Sequence, residues 1–401
     1  VFVAEGILTE LREGTKSHRF SQKVRAIPAS GIRHFFELIA NMDGVISLGV
    51  GEPDFVTPGS FVQAGIDAAK QGETHYTSNY GLLSLREAVS DHLDRLYGVR
   101  YNPKNEIIIT VGVSEALLLA LHALLDPGDE VLSSDPYYVA YLPTVVLAGG
   151  RFVPVRTTVE EDFRLHASQL EERISESTKA ILLGYPSNPT GAQMTREDLQ
   201  DIGNLAAERD LIVISDEIYD RLSYGIQHTC FPSLPGMRER TILLGGFSKA
   251  YAMTGWRVGW VCAPAEIAEA MMKIHQYIIM SAPTVSQYVA LEAIRNGEED
   301  SRRMIEEFDS RRRYVVEALR DIGLTTFEPK GAFYAFPSIR STGMHEIEFA
   351  EALLKEESVA VIPGSAFGEG GAGHVRVCYT APQPLLEEAM ERIRRFVQRH
   401  S

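Results

Sequence analysis

The run Thr241-Ile242-Leu243-Leu244-Gly245-Gly246-Phe247-Ser248-Lys249, continued by Met253-Thr254-Gly255-Trp256-Arg257-Val258-Gly259-Trp260, decides the fold and opens the question of chemistry. Thr241 to Leu244 lacks the polar alternation of a half-exposed strand, so it reads as a strand covered on both faces of a mostly parallel α/β sheet. Ligands of such sheets sit at the carboxyl ends of the strands, where Lys249 stands. An ammonium there is partly desolvated, its pKa falls, and the free amine can attack a carbonyl. Arg257, eight residues on, offers a fork suited to phosphate. An aldehyde bearing a phosphate satisfies both groups, which describes pyridoxal phosphate. On these residues alone the plainer alternative stands beside it: a solvated lysine at a strand end and a Gly-Trp-Arg turn.

Working outward, further strands are expected at Ile107–Val111, Glu130–Ser133, Arg151–Val155, Ala180–Leu183, Leu211–Ser215 and Val258–Cys262, with helices at Leu117–Leu125 and Arg196–Glu208 between them. With Thr241–Leu244 they predict a seven-stranded central sheet with helices on both faces. After Gly297 the texture changes. A charged helix (Asp300 to Leu319) leads to Gly331–Phe336, Ser358–Ile362, His374–Tyr379 and a last helix, Pro384–Gln398, which suits a smaller α+β domain. The expected division is 1–44 as a segment packing on the small domain, 45–297 as the large domain and 298–401 as the small one. Ile32, Phe35, Phe36, Leu38 and Ile39 give the first segment its apolar pattern.

The 401 residues are 45% hydrophobic and 23% charged, enough to bury a large core in an ordinary globular chain. The formal charge of −15 argues against nucleic-acid or anionic-membrane partners. No apolar run reaches the roughly 18 residues of a membrane span, and the charged first twenty residues do not resemble a signal peptide. Cys230, Cys262 and Cys378 show no metal-ligand spacing, and a reducing cytoplasm is the expected setting.

Other residues fall where Lys249 does. Asp216 closes the strand Leu211–Ser215 and is placed to pair with a protonated pyridine nitrogen, with Tyr219 three residues later in reach of a ring oxygen. An N-cap is the alternative for Asp216. Asn188, between Pro186 and Pro189, is held toward a ligand oxygen or is simply a turn residue. Gly112-Val113-Ser114 begins a helix after a strand, a phosphate site or an ordinary cap. Tyr138, after another strand, can stack on a planar cofactor. Arg376 can clamp a carboxylate or lie on the surface. All the plain alternatives would have to hold together at the strand ends of one sheet and on its companion domain.

From about residue 24 onward the chain resembles the fold-type I, pyridoxal-phosphate-dependent class I/II aminotransferases. The likeness is carried by Leu48-Gly49-Val50-Gly51-Glu52-Pro53-Asp54-Phe55, His75-Tyr76-Thr77, Asn188-Pro189-Thr190-Gly191, Asp216-Glu217-Ile218-Tyr219, Ser248-Lys249 through Arg257, and Arg376-Val377-Cys378-Tyr379. The resemblance implies that Lys249 carries the Schiff base and Asp216 pairs with the pyridinium. Asn188 and Tyr219 would bind the ring oxygen, Tyr138 stack on the ring, and Arg257, Ser114 and the Val113 amide hold the phosphate. Tyr76 would reach the phosphate of a neighbouring subunit, making a homodimer with shared sites. Arg376, Asn188 and the Gly51 backbone would bind the substrate α-carboxylate. Many relatives carry a phosphate-binding serine where this chain has Gly246, and Ser248 is the expected replacement.

The implied reaction is ping-pong transamination through the Lys249 Schiff base, with 2-oxoglutarate as acceptor. No arginine or lysine occurs in 276–290, where some dicarboxylate-specific relatives place one. Phe333, Tyr334 and Ile32–Phe36 offer aromatic walls, and the chain most resembles prokaryotic aromatic amino acid aminotransferases. Arg33 keeps aspartate or broad specificity open. A same-fold C–S lyase shares every cofactor residue. A regulator's sensor domain would need a basic DNA-binding helix-turn-helix, and Gly49-Val50-Gly51-Glu52-Pro53 lacks the third glycine of a dinucleotide fingerprint.

Overall fold

The computed structural model describes residues 19–28, 39 and 42–400. Its strands in chain order are β1 (Ile46–Ser47), β2 (Ile107–Thr110), β3 (Glu130–Asp135), β4 (Arg151–Arg156), β5 (Thr178–Leu183), β6 (Ile212–Asp216), β7 (Thr241–Gly246), β8 (Gly259–Cys262), β9 (Tyr334–Ala335), β10 (Val359–Ala360), β11 (Ile362–Pro363) and β12 (Val375–Cys378). The seven expected strands form one sheet, in the order β2-β8-β7-β6-β5-β3-β4. Only β8 opposes its neighbours, pairing antiparallel with both β2 and β7. Every residue of β2, β3 and β8 is buried, as a sheet covered on both faces requires. One core lies on each face: Ile107 and Ile109 join one, while Ile108 joins the other.

The expected helix at Leu117–Leu125 begins earlier, at Gly112, and ends at Leu124. The cause is local. The Glu115 carboxylate turns back to accept the Val111 N–H at 2.5 Å, closing the first turn right after β2. The helix Arg196–Glu208 has the expected bounds, with Thr195 and Asp198 forming a capping box at its start.

Beyond residue 297, β11, β12 and β9 form a three-stranded antiparallel sheet. The expected strand Ser358–Ile362 is two strands, because the chain changes sheets at Val361: β10 pairs parallel with β1, whereas β11 pairs with β12. Gly331–Phe336 contributes only Tyr334 and Ala335 as strand. The long helix Glu298–Asp321 opens with Glu298, Glu299 and Asp300, whose negative charge stabilises the positive end of its dipole, and buries a stripe from Ser301 through Met304, Phe308, Arg311, Val315 and Leu319. Arg311 reaches from it to Asp54 at 2.8 Å, and the Cys378 N–H donates to the Leu48 carbonyl at 2.8 Å. Those two bonds fix the segment 48–54 against the long helix and the three-stranded sheet. The apolar positions 32, 35, 36 and 38, and Arg33, lie outside the described residues.

Candidate active site

The carboxyl ends of the parallel strands and the start of β8 meet at one edge of the large sheet, so the residues that follow β2, β3, β5, β6 and β7 share a cavity of about 440 Å³. Gly51, Val113, Ser114, Tyr138, Asn188, Asp216, Tyr219, Ser248, Lys249, Arg257 and Arg376 all line it. Tyr76 does not; its side chain is 79% exposed elsewhere on the surface.

Asp216 ends β6 with its carboxylate buried. Its Oδ2 accepts the Tyr141 hydroxyl at 2.9 Å and its Oδ1 the Ile218 N–H at 3.3 Å. Burial pushes its pKa up to about 6, against the opposing pull of those two donors. The Lys249 ammonium is pushed the other way, down to about 8, again by burial, and donates to the Gly51 carbonyl at 2.6 Å. Acid and amine are thus both brought near neutrality by the same loss of solvent, the condition proton-transfer groups need.

Tyr219 and Tyr334 share a hydrogen bond between hydroxyls at 2.8 Å. Gly51 is glycine for that reason, since a methyl group there would overlap the Tyr334 hydroxyl. Phe333 does not wall the cavity as expected. It is fully buried behind Tyr219, with ring centroids 5.3 Å apart, because neighbours in extended chain point to opposite sides.

Arg376, on β12, is buried. Its Nη1 donates to Asn188 Oδ1 at 2.7 Å and its Nη2 to the Gly49 carbonyl at 2.6 Å, while its Nε has no partner. The guanidinium packs over the rings of Tyr334 and Phe367 at 4.6 and 4.7 Å. A buried cation with an unused donor suits a carboxylate.

Arg257 adopts φ +51°, a left-handed conformation that costs a non-glycine residue about 1 kcal/mol or more. Its Nη1 donates to the Thr254 carbonyl at 2.9 Å. A Cβ on Gly112 would lie 2.8 Å from Nη2, so the missing side chain lets the guanidinium approach the start of the helix Gly112–Leu124. First-turn amides of a helix lack intrahelical acceptors, which puts the N–H groups of Val113 and Ser114 with Arg257 around one spot. Ser114 is the third helical residue, not the cap. Glu115, which holds the Val111 N–H, also bonds Nδ1 of the fully buried His275 at 2.7 Å. Anion-binding amides, a cation, a carboxylate opposite and an amine between them fit a phosphorylated aldehyde with a basic ring nitrogen. A Cβ on Gly246 would meet the Gly259 Cα at 3.1 Å, Ile218 at 3.3 Å and Val113 at 3.4 Å, so a serine there would be tightly packed, whereas Ser248 lines the cavity.

Sequence reasoning missed Tyr141, Gly184 and the Glu115–His275 pair. Tyr141 lies in an apolar helical run and reads as core, and nothing in the chain order pairs positions 115 and 275.

The family model for class I and II aminotransferases matches residues 43–393. The chain is 44% identical to an aspartate aminotransferase of Pyrococcus abyssi over 383 residues, 94% of this chain and 98% of that one. It is 42% identical to aromatic-amino-acid aminotransferase 2 of Thermococcus litoralis, with the same coverage. The crystal structure of an aromatic aminotransferase from Pyrococcus horikoshii superposes with a TM-score of 0.87 at 44% identity, covering 92% of this chain and 99% of that one.

Proposed function

This chain belongs to the class I and II aminotransferase family, and on that premise we propose that it moves an amino group from an aromatic, or broadly chosen, L-amino acid to a 2-oxo acid such as 2-oxoglutarate. It is a pyridoxal-phosphate-dependent enzyme acting on amino and oxo acids. Among the described residues no helix is long and apolar enough to cross a membrane, and we assign the enzyme to the cytoplasm.

The observation that carries the reading is the convergence of Asp216, Lys249, Arg257 and Arg376 on one cavity. Bound there, pyridoxal phosphate supplies a carbonyl for the amine and a protonated ring that draws electrons from the substrate Cα. Asp216, as carboxylate, keeps the ring nitrogen protonated. Val113, Ser114, Ser248 and Arg257 would hold the phosphate, Tyr138 would stack on the ring, and Asn188 and Tyr219 would take its phenolic oxygen. Arg376 grips the substrate α-carboxylate, with Asn188 and the Gly51 backbone beside it. Lys249, its pKa lowered by burial, would be the base that takes the proton from the substrate Cα and the acid that gives it back. The same sequence reversed on an oxo acid completes a ping-pong cycle.

For the substrate side chain, the cavity offers Leu117, Tyr138, Val139, Ile218 and Tyr334, and its only cations among the described residues are Lys249, Arg257 and Arg376. All three have other duties in this reading, which favours an uncharged aromatic side chain. Aspartate is the second reading, favoured by the Pyrococcus abyssi relative. In the domain reading, 45–297 holds the cofactor and 298–401 forms the smaller unit, the two joined through the β1–β10 pair; of the first segment, the described helix Gln22–Ala26 lies on the large unit instead of the small one, with Lys23 Nζ donating to the Leu147 carbonyl at 3.0 Å. A homodimer is supported by exposed Tyr76, Tyr277, Ile278 and Met280, an apolar group more typical of an interface than of open surface.

The test is a half-reaction panel. Purified enzyme is mixed with single amino acids while the visible band of the lysine-bound cofactor and the 2-oxo acid product are followed. Phenylalanine or tyrosine should bleach the band faster than aspartate. No bleaching with any amino acid, or full activity in Lys249→Ala, refutes transamination, and ammonia with pyruvate from a cysteine conjugate would indicate a lyase.

A further inference from the structure

Tyr141 follows β3, Gly184 follows β5 and Asp216 ends β6; in the sheet β5 lies between β3 and β6. For the Tyr141 hydroxyl to reach Asp216 it must pass over the end of β5, a span of about two strand spacings, or roughly 10 Å. It does so above Gly184. A methyl group on Gly184 would overlap the Tyr141 hydroxyl and sit 3.1 Å from Cε2 and Cζ of the ring. The crossing therefore exists only because that position has no side chain.

A carboxylate turns freely about its last torsion unless donors pin it. Ile218 N–H pins Oδ1 and Tyr141 pins Oδ2. We propose that Tyr141, seated in the space left by Gly184, is a positioning residue that fixes the plane of the Asp216 carboxylate and favours its ionised form toward the cofactor's ring nitrogen. This rests on the reading of Asp216 as the partner of that nitrogen. A hydrogen bond donated to a carboxylate stabilises the charged form. Burial and the adjacent Asp216 hold the Tyr141 phenol well above its ordinary pKa, so it stays a donor throughout the working pH range.

The test uses apoenzyme reloaded with pyridoxal phosphate labelled with 15N in the ring. Tyr141→Phe should weaken cofactor binding about tenfold, the usual worth of a hydrogen bond to a charged group. It should also move the ring 15N resonance toward the unprotonated position, and make affinity fall off at a higher pH on acidification than in the parent. Gly184→Ala, which keeps the hydroxyl but displaces it, should shift the resonance the same way. That substitution should do less in the Tyr141→Phe background, where the hydroxyl it collides with is gone. Asp216→Ala is the control. If it leaves the resonance and affinity unchanged, the Asp216 reading itself fails. If Asp216→Ala alters both while Tyr141→Phe loses only thermal stability, Tyr141 is a packing residue and the proposal is overturned. Should Tyr141→Phe not fold, an unshifted resonance in Gly184→Ala overturns it equally.

Discussion

Replacing Arg376 by lysine keeps the charge and removes the fork. In the structure each terminal nitrogen of the guanidinium spends one N–H on protein, on Asn188 Oδ1 and the Gly49 carbonyl at 2.7 and 2.6 Å, and keeps a second N–H for a ligand. A lysine ammonium is a point donor on a flexible stem; it cannot satisfy both protein oxygens and present a planar pair to a carboxylate. Each hydrogen bond to a charged group is worth about 1.5–3 kcal/mol. Losing one internal bond and the bidentate grip, with partial compensation by the ammonium, should cost about 3 kcal/mol of transition-state binding, or about 100-fold in kcat/KM. The loss should appear chiefly as a raised KM for the amino acid. Cofactor affinity should change less than about twofold, because in the proposed function Arg376 grips the substrate and not the cofactor. Stopped-flow bleaching with phenylalanine, together with cofactor titration of the apoenzyme, separates the two. A KM within about threefold of the parent, or equal losses in cofactor and substrate affinity, would refute the assignment of Arg376 to the α-carboxylate.

Lysine 249 makes apoenzyme stability depend on pH. Its folded pKa is depressed from 10.5 to about 8, so its contribution is present above the unfolded value and is lost as pH falls through about 8. Apo Lys249→Met should therefore be more stable than the apo parent at pH 7 by about 3 kcal/mol, at roughly 1.4 kcal/mol per unit, with the gap closing toward pH 10.5; melting curves that keep a constant gap across that window would contradict the buried ammonium. His275→Leu should destabilise the fold by about 1–3 kcal/mol through the abandoned Glu115 carboxylate and weaken phosphate binding in cofactor titrations. Unchanged cofactor affinity would uncouple that pair from the helix start. For Tyr76, mixing inactive Lys249→Ala subunits with cofactor-deficient Tyr76→Ala subunits should restore activity through hybrid dimers with one intact site, whereas no recovery after verified subunit exchange argues against shared sites.

The large sheet was legible because most of its strands are buried on both faces and several spell unbroken apolar runs, as in Ile107-Ile108-Ile109; the edge strand β4, exposed at Arg151, Pro154 and Arg156, is the exception. The direction of β8 was not, since a four-residue apolar strand looks the same read either way; the ladder with β2 and β7 sets it. Short strands such as β9 and β11 escaped clean boundaries because two residues carry no periodicity. Site residues carried by chain-order motifs, such as Asp216 with Tyr219, came together in the cavity as expected. Tyr141 and Gly184 did not announce themselves, because their meaning is a crossing over a neighbouring strand. The Tyr219–Tyr334 bond escaped for the same reason, being set by how the two sheets face each other.

The reversal of β8 has a bearing on how such an enzyme tolerates change. Because β8 returns beside β7, with Gly246 opposite Gly259, Lys249 and Arg257 ride on one short excursion closed at both ends by the ladder. Their separation is a chain-length constant, indifferent to whatever the three-stranded sheet does. Arg376 hangs from that other sheet and meets the large one through Asn188. An insertion or deletion between Lys249 and Arg257 should therefore abolish function outright, while substitutions of the substrate wall that spare Tyr138 should leave the cofactor's grip untouched. Selection can then retune the accepted amino acid repeatedly without renegotiating the chemistry.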